Sequence, residues 1–172
     1  VLPTPDPVAD SIVNIPDSIF KATLVNDSLI NTNGNSEIEL SEATSYTGTI
    51  SAPSRFIVSA EGIQSFTNVT RIALYDNLIT AIDLSNNTKV TQLLIEENYL
   101  TTLDVSNLSL LTDFKAHTNN LTKVNLANGN NSNMWRVDLQ ANSSLTCVQV
   151  DALPVRSGWT IDSTSAYSTN CF

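Results

Sequence analysis

The stretch NTNGNSEIELSE, residues 31–42, sets side-chain oxygens at alternate positions over twelve residues. A calcium loop of that length needs oxygen ligands at places 1, 3, 5, 7, 9 and 12, with glycine at 6. Those places hold Asn31, Asn33, Asn35, Glu37, Glu39 and Glu42; Ser36 stands sixth and Ile38 takes the hydrophobic eighth. Affinity follows the number of anionic ligands. Neutral amides at the first, third and fifth places leave Glu42 and Glu39 as the anions. The expectation is therefore no metal site, but a turn held by asparagine side-chain hydrogen bonds. Calcium affinity is expected to be millimolar or weaker, and no cofactor is expected.

Two other chemistries can be weighed. His117 is the single histidine, and Glu96 and Asp138 each lie 21 residues from it, which invites an acid–base reading. No nucleophile motif, reactive cysteine pattern or phosphate loop accompanies it, so an enzyme is not expected. Cys147 and Cys171 are the only cysteines, and with one histidine they make a zinc site implausible. They are either a disulfide closing the chain end, hence an oxidising compartment, or two buried thiols; the disulfide is the preferred reading.

What must position these groups is read from the whole chain. With 172 residues it is long enough for one domain with a substantial core. A net charge of −9 and eight scattered basic residues argue against nucleic acid and anionic membranes as partners. No apolar run is long enough to span a bilayer, so membrane insertion is not expected. The opening VLPTPDPVAD reads as the start of a Pro-rich leader or linker, placed at 1–13. Asparagine is abundant, and Asn68, Asn86, Asn107, Asn120 and Asn142 stand in N-x-S/T sequons.

The asparagines recur at a period. VTRIALYDNLITAIDLSNNTK (69–89), VTQLLIEENYLTTLDVSNLSL (90–110) and LTDFKAHTNNLTKVNLANGNNSN (111–133) align, and MWRVDLQANSS begins a fourth unit at 134. Each carries the pattern L-x-x-L-x-L-x-x-N-x-L, at Val69, Ile72, Leu74, Asn77 and Ile79 in the first. The second has Val90, Leu93, Ile95, Asn98 and Leu100; the third has Leu111, Phe114, Ala116, Asn119 and Leu121. The fourth has Met134, Val137, Leu139 and Asn142, with Ser144 at the last apolar place. This is the leucine-rich repeat signature.

The expected fold is α+β, mostly β: a short leucine-rich repeat solenoid of 21–23-residue coils. The L-x-L core makes a short strand, and the asparagines turn inward to satisfy the backbone of neighbouring coils. So Asn77, Asn98, Asn119 and Asn142 are read as structural. The second half of each repeat, such as ITAIDLSNN, again alternates and should be extended or in 3₁₀ turns. An earlier coil is expected to draw its strand from Phe56 to Val58. A helix within 14–30, starting near Pro16 or Asp17 with Ile19, Phe20 and Leu24 on its apolar face, and the loop after it give an EF-hand-like helical N-cap over 14–47. Repeats are placed at 48–144. LTCVQVDAL then supplies a last strand with Leu145, Val148 and Val150 inward, opening a disulfide-tied C-cap over 145–172 in which Trp159 packs. Caps are required because a solenoid's end coils expose apolar surface.

Outward strand positions form columns on a concave face. They read Arg71, Gln92, Asp113, Arg136; then Ala73, Leu94, Lys115, Asp138; then Tyr75, Glu96, His117, Gln140. Trp135 stands at the edge of the last coil. Repeat proteins commonly bind through this face, and Tyr, Trp and Arg are frequent hot-spot types. The candidate ligand-binding residues are Arg71, Tyr75, Leu94, Glu96, Lys115, His117, Trp135, Arg136, Asp138 and Gln140. The alternative is a solvated face with ion pairs such as Lys115 with Glu96 or Asp138.

Three phrases carry a family resemblance: IPDSIFKATLV followed by NTNGNSEIELSEA, the repeated LTTLDVSN-like phrase, and the ending LTCVQVD…W…ID…STNC. The chain resembles secreted leucine-rich repeat proteins of Bacteroidetes, flavobacterial in type, and more distantly the internalins. The resemblance implies export, to the medium or the outer cell surface, often with a C-terminal sorting domain. No such domain is read in these residues, and the chain is expected to be the mature or excised part. Relatives carry Asp at the first and fifth loop places and Gly at the sixth, all changed here. The expected function is a non-catalytic binding module for a protein or cell-surface partner, and the chain is expected to be a monomer. Glycan binding in polysaccharide utilisation and a spacer role in a larger surface protein are the alternatives.

Overall fold

A computed structural model describes residues 10–171. Two short helices, α1 (Ser18–Val25) and α2 (Leu40–Ser45), precede nine three-residue strands. These are β1 (Thr49–Ser51), β2 (Arg71–Ala73), β3 (Gln92–Leu94), β4 (Thr102–Asp104), β5 (Asp113–Lys115), β6 (Lys123–Asn125), β7 (Arg136–Asp138), β8 (Cys147–Gln149) and β9 (Ala166–Ser168). They form two parallel sheets, β1-β2-β3-β5-β7 and β4-β6-β8-β9. Five coils each contribute a strand to the first sheet, and from the coil of β3 onward the chain then turns and adds a strand to the second. The fold is therefore the expected repeat solenoid, and the second half of the repeat is extended from the coil of β3 onward.

Register follows the sequence period. Ile50, Ile72, Leu93, Phe114 and Val137 align across the first sheet, all pointing inward. Thr160 bridges Asp138 in parallel, which extends this column to Trp159. Trp159 is buried beneath the final turn, where its Nε1 donates to the Met134 carbonyl at 3.1 Å. A single apolar core runs from Phe20 in α1 to Val150 after β8.

Three sequence expectations are corrected. The strand of the first coil is Thr49–Ser51, not Phe56 to Val58; Phe56 and Val58 are exposed, and Ile50, Ala52 and Ile57 fill the core instead. In the fourth coil the last apolar place is held by buried Leu145, not Ser144, because Ser143 is one residue more than the earlier coils contain. In α1, Phe20 and Leu24 face the core while Ile19 is exposed.

The N-terminal segment ties itself to the repeats through one carboxylate. Oδ1 of Asp17 caps α1 by accepting from the N–H groups of Ile19 and Phe20. Its Oδ2 accepts from Val58 and Ser59 in the first coil at 2.8 and 3.1 Å. Burial would raise this carboxyl, but the four backbone donors outweigh it and hold Asp17 below the usual range. Residues 1–9 of the expected leader lie outside the described residues. Its last residues are paired, not a free linker: Ser11 accepts from Leu40 N–H, and Val13 donates to the Ile38 carbonyl. Gly62 lies beneath them at φ 101°, and a Cβ there would meet Ile15 Cγ1 at 2.6 Å. This close approach requires glycine.

At the other end Cys147 and Cys171 form a disulfide, tying the tail beside β8. Closing a loop of 24 residues is worth at most about 3.5 kcal/mol in the chain-entropy model. The last coil can fray without the rest. Replacing both cysteines by serine should therefore lower global stability by only about 1–2 kcal/mol, while making the segment after Val150 rapidly cleaved in limited proteolysis.

Candidate functional site

The outer face of the five-stranded sheet is built on a rigid support. Each ladder asparagine joins two coils: Asn98 donates to Leu74 of the preceding coil and to Ile95 and Glu96 of its own, and accepts from Ile79. Asn77, Asn119 and Asn142 repeat this arrangement. Just before each stands a residue at positive φ: Asp76, Glu97, Thr118 and Ala141, all near 55°. This conformation turns the chain off the sheet. Its types carry no shared signal, so the sequence reading missed it.

The columns align as expected, but their members differ in what they offer. Asp113 is almost fully buried. Arg136 grips it with two hydrogen bonds, Nε to Oδ1 at 2.6 Å and Nη2 to Oδ2 at 2.5 Å, and Gln92 donates to Oδ2 as well. Arg136 also stacks over Trp135, 4.6 Å from the ring centroid. Arg136 is thus committed to the scaffold, while Trp135, 54% exposed, projects from it.

Leu94 is buried, and Glu96 is only 7% exposed. Lys115 reaches Glu96 Oε1 at 4.0 Å, and Glu96 Oε2 has no hydrogen-bond partner among the described residues. Burial pushes the Glu96 carboxyl above its usual range, despite the pull of Lys115 and His117. Arg71 is half-buried with an unbonded Nε. Tyr75, His117 and Asp138 are half-buried, and Gln140 is exposed.

Among the described residues no ion pair joins His117 to a carboxylate. His117 Nδ1 bonds the Thr118 hydroxyl at 3.1 Å, and Asp138 Oδ1 accepts from the Thr160 hydroxyl at 3.0 Å.

In the N-terminal loop the asparagine amides do the work of a cation. Nδ2 groups of Asn33 and Asn35 donate to the two Glu39 oxygens at 2.9 and 2.7 Å. Asn31 Nδ2 donates to the carbonyls of Val25 and Asn35, while Lys21 pairs with Glu37 at 2.5 Å. Glu42 Oε1 accepts from the N–H groups of Thr32 and Asn33. Burial would raise this carboxyl; hydrogen bonding with Glu39, Asn33 and Thr32 outweighs it and lowers Glu42 to about 2. Among the described residues no three His, Cys, Asp or Glu side chains are grouped to hold a metal. A calorimetric calcium titration should show no binding tighter than millimolar, because a cation would have to displace these donors; micromolar binding would contradict this account of the loop.

No family model matches the sequence, and no curated protein matches it. Solved structures do resemble it. The functional domain of InlJ from Listeria monocytogenes, which includes a cysteine ladder, superposes with a TM-score of 0.58 at 23% identity, covering 78% of this chain and 36% of that one. The internalin InlF from Listeria monocytogenes gives 0.56 at 22% identity, covering 84% of this chain and 47% of the other. The fold is an internalin-like leucine-rich repeat. The chain spans less than half the length of either structure. Among the described residues no helix is long and apolar enough to cross a membrane.

Proposed function

We propose that this chain is a non-catalytic binding module that engages a protein or cell-surface partner through the outer face of its five-stranded sheet. The observation that carries the reading is Trp135, largely exposed at the edge of that rigid face and held in place by Arg136. A large ring that is immobilised before binding loses little entropy on contact. Tyr75, His117 and Gln140 extend the surface across neighbouring coils. The internalin-like architecture supports an interaction role. The disulfide suits an oxidising, extracellular location. In this reading 14–47 is a cap, 48–144 the repeats and 145–172 the closing unit of an exported monomer.

Protein and glycan arrays probed with the intact chain test the partner class. Against any hit, the combined Tyr75→Ala, His117→Ala and Trp135→Ala variant should bind at least tenfold more weakly by surface plasmon resonance. Unchanged affinity would overturn the assignment of this face.

A further inference from the structure

A second surface lies along the rim, where each coil turns off the five-stranded sheet. It is a groove of about 450 Å³. Its apolar wall consists of Phe56, Leu78 and Tyr99, one from each of three successive coils, which are 73%, 37% and 51% exposed. Asp76 and Glu97 also line the groove. Neither belongs to an ion pair among the described residues. Among the described residues no lysine or arginine lines it; Arg55, beside Phe56 in sequence, lines the cleft against α1 instead.

Phe56 has a φ of 61°. Side chains disfavour that region and glycine occupies it without strain. The ring recovers little by packing, since most of it faces solvent. An exposed aromatic kept in a strained conformation is what a contact residue requires and folding does not.

We propose that this rim groove docks an extended segment of a partner protein in which arginine or lysine alternates with apolar side chains. Apolar groups would cover Phe56, Leu78 and Tyr99. A guanidinium can lie on an aromatic ring while pairing with Asp76 or Glu97. The net charge of −9 favours the approach of a basic segment. Leu78, standing between the two rings, interrupts the flat platform a sugar chain would stack on. The groove is distinct from the face carrying Tyr75, His117 and Trp135, because its residues begin at the turn that leaves the sheet.

The test uses the full chain and three probes: a labelled peptide of twelve alternating Arg and Leu residues, its Glu–Leu counterpart, and cellohexaose with chitohexaose. Anisotropy should show binding of the Arg–Leu peptide alone, and amide shifts in NMR spectra should centre on residues 56, 78 and 99. Affinity should fall at least tenfold in the Asp76→Asn, Glu97→Gln double variant and in Tyr99→Ser, and stay unchanged in the triple variant of the sheet face. Phe56→Gly should weaken binding while leaving the melting temperature equal or higher. The proposal is overturned by peptide binding insensitive to the groove variants, which would be general charge attraction. It is equally overturned by no peptide binding, by hexasaccharide binding in its place, or by a Phe56→Gly chain that loses stability.

Discussion

Asn98→Ala is expected to destabilise the protein by roughly 3–5 kcal/mol, a large part of the 5–15 kcal/mol typical of a domain. Asn98 is 5% exposed and spends its whole side chain on backbone. Removing it strands the Ile79 N–H, which donates to the amide oxygen at 3.0 Å, and loses three hydrogen bonds to carbonyls, among them Leu74 at 2.9 Å, which keeps Asn77 as its other donor. A stranded buried group costs about 1–3 kcal/mol. The substitution also severs a link between adjacent coils, so cooperativity should fall along with the midpoint. Asn98→Asp should be at least as damaging, although it is nearly isosteric. A carboxylate oxygen would face the carbonyls of Leu74, Ile95 and Glu96, where the amide now donates. Equilibrium denaturation of both variants checks this, and a loss under about 1 kcal/mol for Asn98→Ala would refute the ladder as the element joining the coils.

The second large effect concerns Arg136→Ala, expected to cost about 3 kcal/mol. Breaking a buried pair typically costs about 3–5 kcal/mol because the remaining charge is stranded. Arg136 is one-third exposed in its side chain while Asp113 is 3% exposed, which places the effect at the low end of that range. Asp113→Asn combined with Arg136→Gln should recover most of the loss, since no unpaired charge remains. A double-mutant cycle by urea unfolding measures the coupling; additive effects would show that the pair does not act as a unit. The consequence for function is direct. Loss of binding in Arg136→Ala would report a disturbed sheet as readily as a lost contact, which is why Tyr75, His117 and Trp135 are the informative substitutions.

The sequence by itself determined the solenoid, its period and its ladder. Apolar residues at fixed spacing must share one side of a coil, and an asparagine recurring where the strand ends has only backbone to bond. The same spacing made the second half of the repeats from 90 onward legible as extended chain or 3₁₀ turns, and the amides in 31–42 were legible as makers of a turn. Where the period weakened, local pattern misled. FIV at 56–58 looks more strand-like than TIS at 49–51, yet pairing with Arg71–Ala73 selects the latter because only that register buries Ile50, Ala52 and Ile57. Ser144 yielded its place to Leu145 for the same reason: the core selects an apolar side chain over strict counting.

What only the tertiary structure decided is which outward residues are free. Glu96 and Leu94 sit in the same columns as His117 and Lys115, but neighbouring coils bury the first two and leave the others half-open. Arg136 and Trp135 are adjacent in sequence; one is consumed by Asp113 and the other projects. The left-handed turn that lines up Phe56, Leu78 and Tyr99 on one rim has no residue signature at all. Inward positions repeat because every coil shares one core, so sequence alone reveals them. Outward positions depend on partners one coil away, about 5 Å across the sheet, and those meet only when the coils stack.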